Sequence, residues 1–353
     1  MTEKINSQPV LHFFIITALL VVIMWGTYHA QTLLSLFFLS LFISIIATPL
    51  IRFLQRRHIP FGVGVLLVIV ILIILFGLIS ILVGTSIKNL SENIPTYMQR
   101  LDEQSAELRK MLADKNIIIN EKKFTDSFKP DALMTVAGSV VIAIGSLFSN
   151  VVLVFLMVTF LLLESPYFSA KLREGLGTTK PFFLNFTAFI KNLNRYIIVQ
   201  TILSFAAGVL VTLWLYVLGI EYALLLGVLV FLSTYIPSIG PLFVIIPIFL
   251  LSYIQFGIGY GFLGGGGAAA ITFALGNFVY PKLMGERLGL STLVVFLSVI
   301  FWGSLLGVVG TILCVPLTMA LKFALENSNS TRWIAILLGP SLSEDNKKIT
   351  KEK

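Results

Sequence analysis

Long apolar runs determine what this chain can fold into. Uncharged stretches of about 18 or more residues are long enough to cross the ~30 Å hydrocarbon core of a bilayer as a helix. Five such stretches come first, at about 11–29, 32–51, 61–83, 136–163 and 197–218. With 57% hydrophobic residues and a mean hydropathy of +0.96, a soluble domain of 353 residues could not hide this surface from water. The sequence therefore predicts an all-α, multi-pass membrane protein.

The basic residues lie beside the apolar runs, as topology signals do. The net charge of +8 comes from short groups such as Arg52, Arg56 and Arg57 and from a Lys-rich tail. No basic patch is interleaved with aromatic residues, so we expect the lipid bilayer, and no nucleic acid, as a partner. Assigning the tight basic groups to the cytoplasm places both termini there. The first apolar run lacks a small-residue cleavage motif and is predicted to stay as an anchor helix.

One polar insertion, residues 88–135, separates the membrane segments. Leu90, Ile94, Met98 and Leu101 recur at helical spacing and predict an amphipathic helix over 88–113. We expect a small cap or a helix on the membrane surface, and the alternative of a solute-capturing domain has no cluster of residues behind it. The predicted organisation is three membrane helices (1–87), this insertion (88–135), a fourth membrane helix with a basic loop (136–196), a transport half (197–325) and a cytoplasmic tail (326–353).

The apolar segment 222–255 cannot be one continuous helix. Its centre reads IPSIGP, and Pro241 has no N–H to donate and clashes with the preceding turn. Each of its two arms is about 22 Å of helix, which is too short to cross the hydrocarbon core. We predict a broken, re-entrant hairpin, called here the first hairpin. Its tip, the first tip, comprises Thr234, Tyr235, Pro237, Ser238, Gly240 and Pro241.

The later apolar run shows a second interruption, at residues 290–323. Gly303, Gly307 and Gly310 lie at its centre, where the backbone can turn because glycine has no Cβ. We predict two short arms, called here the second hairpin. Its tip, the second tip, consists of these three glycines together with Trp302 and Ser304.

The basic residues that flank the two hairpins predict that they enter the membrane from opposite sides. Inverted repeats with broken helices are a recurring design of secondary transporters, because exposed backbone groups at such tips can bind a polar solute. The complete prediction is about six full transmembrane helices plus two oppositely oriented hairpins, eight or more membrane segments in all. The alternative is two ordinary kinked pairs of short spans, which would give ten crossings.

Few polar side chains lie within the apolar segments of the sequence. Asn277 is an amide within an apolar span, and it precedes Tyr280 and the helix-breaking Pro281. It serves either as a solute contact or as a bond between helices. Deep carboxylates, clustered histidines and paired cysteines are missing from the sequence, so we predict no metal, no cofactor and no enzymatic activity. The glycine-rich run 261–270 lacks the Lys-Ser/Thr of a phosphate-binding loop and predicts close helix packing instead.

The sequence GERLGLSTLVVFLSVIFWGSLLGVVGTILCVP, at 285–316, is similar to the signature of the autoinducer-2 exporter family of bacterial inner-membrane proteins. The same resemblance is seen in IPSIG at 236–240 and in the spacing from Asn277 through Pro281. It extends from about residue 10 to residue 340. It implies an exporter of small signalling or metabolic solutes that assembles as a ring of identical subunits, such as a pentamer. In relatives the position of Tyr280 is often Glu, and Thr234 and Ser238 stand where the loop often has Asn.

We therefore expect a carrier that exports a small neutral polar signal or metabolite without ATP. The two tips and Asn277 are expected to line its path. A cation/proton antiporter is the first alternative, since the resemblance extends to such proteins, but it would need a carboxylate at depth. A membrane scaffold that transports nothing is the second.

Overall fold

The computed structural model describes residues 9–113, 150–176, 181–237, 239–284, 289–328 and 330–339. Four features of the sequence prediction lie outside these residues: the turn-rich part of the insertion, the start of the fourth span, Ser238, and the tail beyond residue 339. The described residues are almost entirely helical. In chain order the helices are α1 (Pro9–His29), α2 (Gln31–Arg56), α3 (Phe61–Ala113), α4 (Val151–Leu176), α5 (Pro181–Val217), α6 (Ala223–Ser233), α7 (Gly240–Phe256), α8 (Ile258–Ala274), a π-helical turn (Leu275–Val279), α9 (Tyr280–Met284), α10 (Thr292–Glu326) and α11 (Arg332–Leu337).

Among the described residues, six helical segments are long and apolar enough to cross a membrane. They are Gln31–Arg56, Phe61–Leu101, Val151–Phe168, Asn185–Val217, Ile258–Met284 and Thr292–Glu326. Two shorter apolar helices, α6 and α7, form the first hairpin, as the sequence predicts. The all-α, multi-pass architecture is thereby confirmed.

The helix α3 is longer than the sequence analysis anticipates. The third span and the amphipathic segment form one continuous helix of 53 residues, despite Pro95 in its interior. The C-terminal part of α3 packs against the first hairpin, because Tyr97 and Leu101 are buried against Tyr253 and Ile254 of α7. The amphipathic face of α3 therefore caps the first hairpin, and this contact explains why the apolar periodicity continues beyond the membrane span.

The bundle has two ends that differ in charge. Arg52 at the end of α2 lies beside Arg195 of α5, and the guanidinium of Arg195 donates to the carbonyl of Leu283 at 3.0 Å. We call this the basic end. At the opposite end α2 begins with Gln31, and the phenol of Tyr97 donates to the carboxylate of Glu221.

The two hairpins start from different ends of this bundle. The first hairpin follows α5 at the opposite end, and its Tyr235 packs edge-on against Phe42, midway along α2. The second hairpin starts at the basic end after Leu283, and Ser35 near the start of α2 donates to the carbonyl of Leu306 at 3.0 Å. Hence their tips point in opposite directions, as the basic residues predict. Since seven residues of helix span about 10 Å, the tips pass one another along α2 and do not meet end to end.

The glycine-rich run on α8 lets it approach two neighbouring helices. A Cβ at Gly264 would lie 2.3 Å from the hydroxyl oxygen of Ser252, and one at Gly265 would lie 2.8 Å from the Cβ of Phe249. Both of these neighbours are on α7. The indole of Trp214 on α5 donates to the carbonyl of Leu263 at 3.0 Å. Close helix packing is therefore the structural role of this run.

Candidate solute-binding cavity

A cavity of about 1340 Å³ lies between α5, the first tip, the end of α8 with its π-helical turn, and the start of α10. Its volume exceeds that of sites for drug-sized ligands. Six of the residues that the sequence analysis singles out line it: Thr234, Pro237, Pro241, Asn277, Tyr280 and Pro281. The structure thus brings the first tip next to the Asn277 region, although some 40 residues of sequence separate them.

The first tip is a sharp turn that requires glycine at one position. A Cβ at Gly240 would lie 1.8 Å from the carbonyl oxygen of Ser233, so any side chain there would force the turn open. The hydroxyl of Thr234 bonds back to the carbonyl of Val230 at 2.7 Å. Tyr235 is buried behind the cavity wall, and its phenol donates to the hydroxyl of Thr201 at 3.0 Å. These contacts hold Thr234 and Pro237 at the cavity surface.

Gln200 donates a hydrogen bond to a backbone carbonyl at the break in the first hairpin. Its amide donates to the carbonyl of Thr234 at 2.7 Å, and the side chain is buried. A carbonyl freed at membrane depth must find a donor in the protein or in a water-filled cavity. Sequence reasoning left Gln200 out of the site, although a single amide in the apolar run of α5 was the available signal.

The π-helical turn presents Asn277 on the other side of the cavity. The N–H of Tyr280 bonds to the carbonyl of Leu275, five residues back, which adds a residue to the turn just before Pro281. Proline cannot donate its own helical hydrogen bond, and the wider turn accommodates this defect. The amide nitrogen of Asn277 donates to the carbonyl of Phe273 at 3.0 Å, which leaves its oxygen to accept from a solute.

The polar lining of the cavity consists of hydroxyl and amide groups. Gln200 and Asn277 supply amides, while Thr234, Thr272 and Ser291 supply hydroxyls. None of the lining residues within the described chain is Asp, Glu, Lys, Arg or His. Tyr196, Tyr280 and Thr292 add further hydroxyls, and apolar and small side chains form the rest of the wall. Such a surface offers hydrogen bonds to a neutral polar molecule without presenting a fixed charge to it.

The second tip lies away from this cavity. Trp302, Gly303, Ser304, Gly307 and Gly310 do not line it. The backbone of Gly307 has φ 64° and ψ −146°, a conformation that favours glycine, and the break falls there. A Cβ at this position would lie 3.0 Å from the side-chain nitrogen of Gln31. The second tip thus packs against the first turns of α2, near the opposite end of the bundle.

Metal coordination has no support in the described part of the chain. No group of three or more His, Cys, Asp or Glu side chains is placed there to hold a metal ion. Glu164, a carboxylate at the end of an apolar span, is exposed and pairs with Lys171 at 2.5 Å.

The helices, the broken hairpins and a polar cavity whose described lining has no charged side chain together define a membrane transport protein. The sequence model of the AI-2E transporter family matches residues 13–330, and the chain belongs to this family. It is 35% identical to a putative transport protein of Haemophilus influenzae over 328 residues, which cover 91% of this chain and 94% of that protein. It is 31% identical to the AI-2 transport protein TqsA of Escherichia coli over 96% of this chain and 98% of that protein. It is also 29% identical to the putative transport protein YhhT of the same species, over 94% and 95% of the two chains.

The family is one of transporters. The apolar helices and the transporter relatives identify a multi-pass protein of the inner membrane.

Proposed function

We propose that this protein is a carrier that exports a small neutral polar signal or metabolite, and that the cavity beside the first tip binds this solute. The observation that carries the proposal is the uncharged polar lining supplied by Gln200, Thr234 and Asn277. Transfer of a neutral solute needs hydrogen-bond partners that replace water, and these three side chains come from separate elements that face one another.

The name of one relative suggests the first solute to test. TqsA of Escherichia coli is called an AI-2 transport protein, and its alignment with this chain covers 96% of the residues of this chain. We therefore propose autoinducer-2, or a metabolite of similar size and polarity, as the cargo. Export, as opposed to uptake, is the direction that the resemblance to the exporter family implies.

The proposed mechanism uses no ATP. The glycine-rich run on α8 is occupied in packing against α7 and α5 and has no lysine to hold a phosphate. A cation/proton antiporter would need a titratable group along its path. The titratable groups of the described lining are the phenols of Tyr196 and Tyr280, and none of its residues is Asp, Glu, Lys, Arg or His, so this alternative has less support than a carrier of neutral solutes.

The orientation is proposed from the charge of the two ends. Arg52, Lys191 and Arg195 gather at the basic end, which belongs in the cytoplasm by the positive-inside rule. This orientation places both chain termini in the cytoplasm. The ring of identical subunits, such as a pentamer, is a further proposal that the family resemblance supports, and native mass spectrometry in detergent would test it.

Transport by the purified protein in liposomes tests the function directly. We expect labelled autoinducer-2 to cross protein-containing vesicles faster than protein-free vesicles, with no ATP present. Proton flux driven by a cation gradient and abolished by Glu164→Gln would instead identify an antiporter. If neither autoinducer-2 nor any of a panel of small polar metabolites moves, the scaffold alternative is favoured.

A further inference from the structure

A second hollow, separate from the solute cavity, lies at the basic end of the bundle. This groove of about 510 Å³ runs between the end of α2 and the first half of α5. We propose that it binds the phosphate of an anionic phospholipid, with one acyl chain of the lipid lying along α5. The proposal does not depend on which solute the protein carries.

Three cations face this groove. Arg52 comes from α2, while Lys191 and Arg195 come from successive turns of α5. Arg195 is held in place by its hydrogen bond to the carbonyl of Leu283 at 3.0 Å. The ion pairs of the described residues lie elsewhere, on Lys88, Lys171 and Lys322. No described carboxylate therefore neutralises the groove, and an anion is the ligand that its charge favours.

The remainder of the groove is suited to the less polar parts of a lipid. Asn194 contributes a half-buried amide beside the cations, and Ile190, Ile198 and Val199 contribute an apolar surface. On the membrane side α5 continues with Ile202 and Phe205, both of which are exposed on the bundle. A soluble phosphate would use only the charged part, whereas a phospholipid uses both parts.

The position of the groove along the bundle is that of a lipid headgroup. Arg52 directly follows the apolar run of α2. The apolar span of α5 begins at Asn185 and continues beyond the groove. Basic pockets between transmembrane helices on the cytoplasmic side are a known way to bind anionic headgroups. Topology alone requires only that basic residues be in the cytoplasm. It does not explain why two helices distant in sequence share one groove whose cations have no carboxylate partner among the described residues.

The test uses the full-length protein in phosphatidylcholine nanodiscs that contain a small fraction of spin-labelled phosphatidylglycerol. Each Lys or Arg beside an anionic lipid strengthens binding about fivefold. We therefore expect the double variant Arg52→Gln/Lys191→Gln to bind the labelled lipid about 25-fold more weakly. The matched control is Arg56→Gln/Arg57→Gln, which removes two charges from the same end of α2, outside the groove, and should change binding less than twofold.

A second variant retains every charge. Ile198→Trp fills the apolar part of the groove and should weaken phosphatidylglycerol binding about fivefold. Unfolding temperatures in pure phosphatidylcholine that match the wild type would show that the variants are folded. Equal losses in the charge variant and in its control, or no loss in either, would overturn the proposal. Displacement of the labelled lipid by millimolar inorganic phosphate would show that the groove takes a soluble anion, and would overturn it as well.

Discussion

The indole nitrogen of Trp302 donates a hydrogen bond to the hydroxyl of Thr318 at 3.0 Å. In an unbroken helix two residues sixteen positions apart would lie about 24 Å from each other. The two arms of α10 therefore lie side by side, folded back at Gly307. The base of this hairpin is also closed, because the ammonium of Lys322 donates to the carbonyl of Gly289 at 2.7 Å.

Removal of this hydrogen bond should loosen the second hairpin. We expect Trp302→Phe and Thr318→Val each to lower the free energy of unfolding by about 1 kcal/mol, because a buried partner loses its bond. The double variant should cost less than the sum of the two single changes, since both remove the same bond. Unfolding in mixed detergent micelles measures these values. Trp333→Phe, at an exposed indole, is the control, and strictly additive effects would contradict the contact.

The two arms approach each other closely at Gly310. A Cβ there would lie 2.0 Å from the carbonyl oxygen of Trp302, a backbone atom that cannot move aside. Gly310→Ala should destabilise the protein by about 1–3 kcal/mol through overpacking. Gly303→Ala is the matched control, because its Cβ would first meet Thr311 at 3.5 Å, an ordinary contact. The yield of monodisperse protein and its unfolding temperature report the difference, and equal behaviour of the two variants would contradict the hairpin.

Asn277 should contribute to transport and not to folding. Asn277→Leu removes an amide that lines the cavity, and we expect solute flux in liposomes to fall about tenfold for the loss of one hydrogen bond to the solute. Asn327→Leu is a close control, because Asn327 makes the same bond to the carbonyl four residues back, at 2.7 Å, outside the cavity. Unchanged flux in the Asn277 variant would remove this residue from the site.

Gln200 should affect both stability and transport. Gln200→Leu takes a donor away from the carbonyl of Thr234, at a cost of about 1 kcal/mol for the lost hydrogen bond. It also removes a polar group from the cavity, so flux should fall in protein that still inserts. Gln99→Leu, at an exposed site on α3, should leave both quantities unchanged. Wild-type stability and flux in the Gln200 variant would mean that the first tip needs no side-chain support.

Accessibility to a membrane-impermeant thiol reagent tests the proposed orientation. The native Cys314 is buried and should not react in the folded protein. In intact cells we expect Lys88→Cys to react from outside and Arg56→Cys to react only after the membrane is opened. The reverse pattern would place the basic end outside and would invert the direction assigned to each hairpin.

The breaks in the two hairpins were predictable because their causes are local. Pro241 cannot donate a hydrogen bond wherever it is placed, and Gly307 can adopt a positive φ that other residues avoid. The length of α3 was less evident. A change from an apolar to an amphipathic pattern marks where the environment changes, and a helix can continue across that change when a partner such as Tyr253 covers its exposed face.

The sequence by itself determined that most of the chain lies in lipid and that two of its apolar segments are interrupted. It also determined that the two resulting hairpins have opposite orientations. Only the tertiary structure decided that the first tip, and not the second, faces the large cavity, and that Gln200 joins it. Hydropathy, proline and glycine act on neighbouring residues, so they can be recognised along the chain. Which helix faces meet depends on close packing among segments far apart in sequence, and the alignment of Gln200 with Thr234 exists only once those segments are assembled.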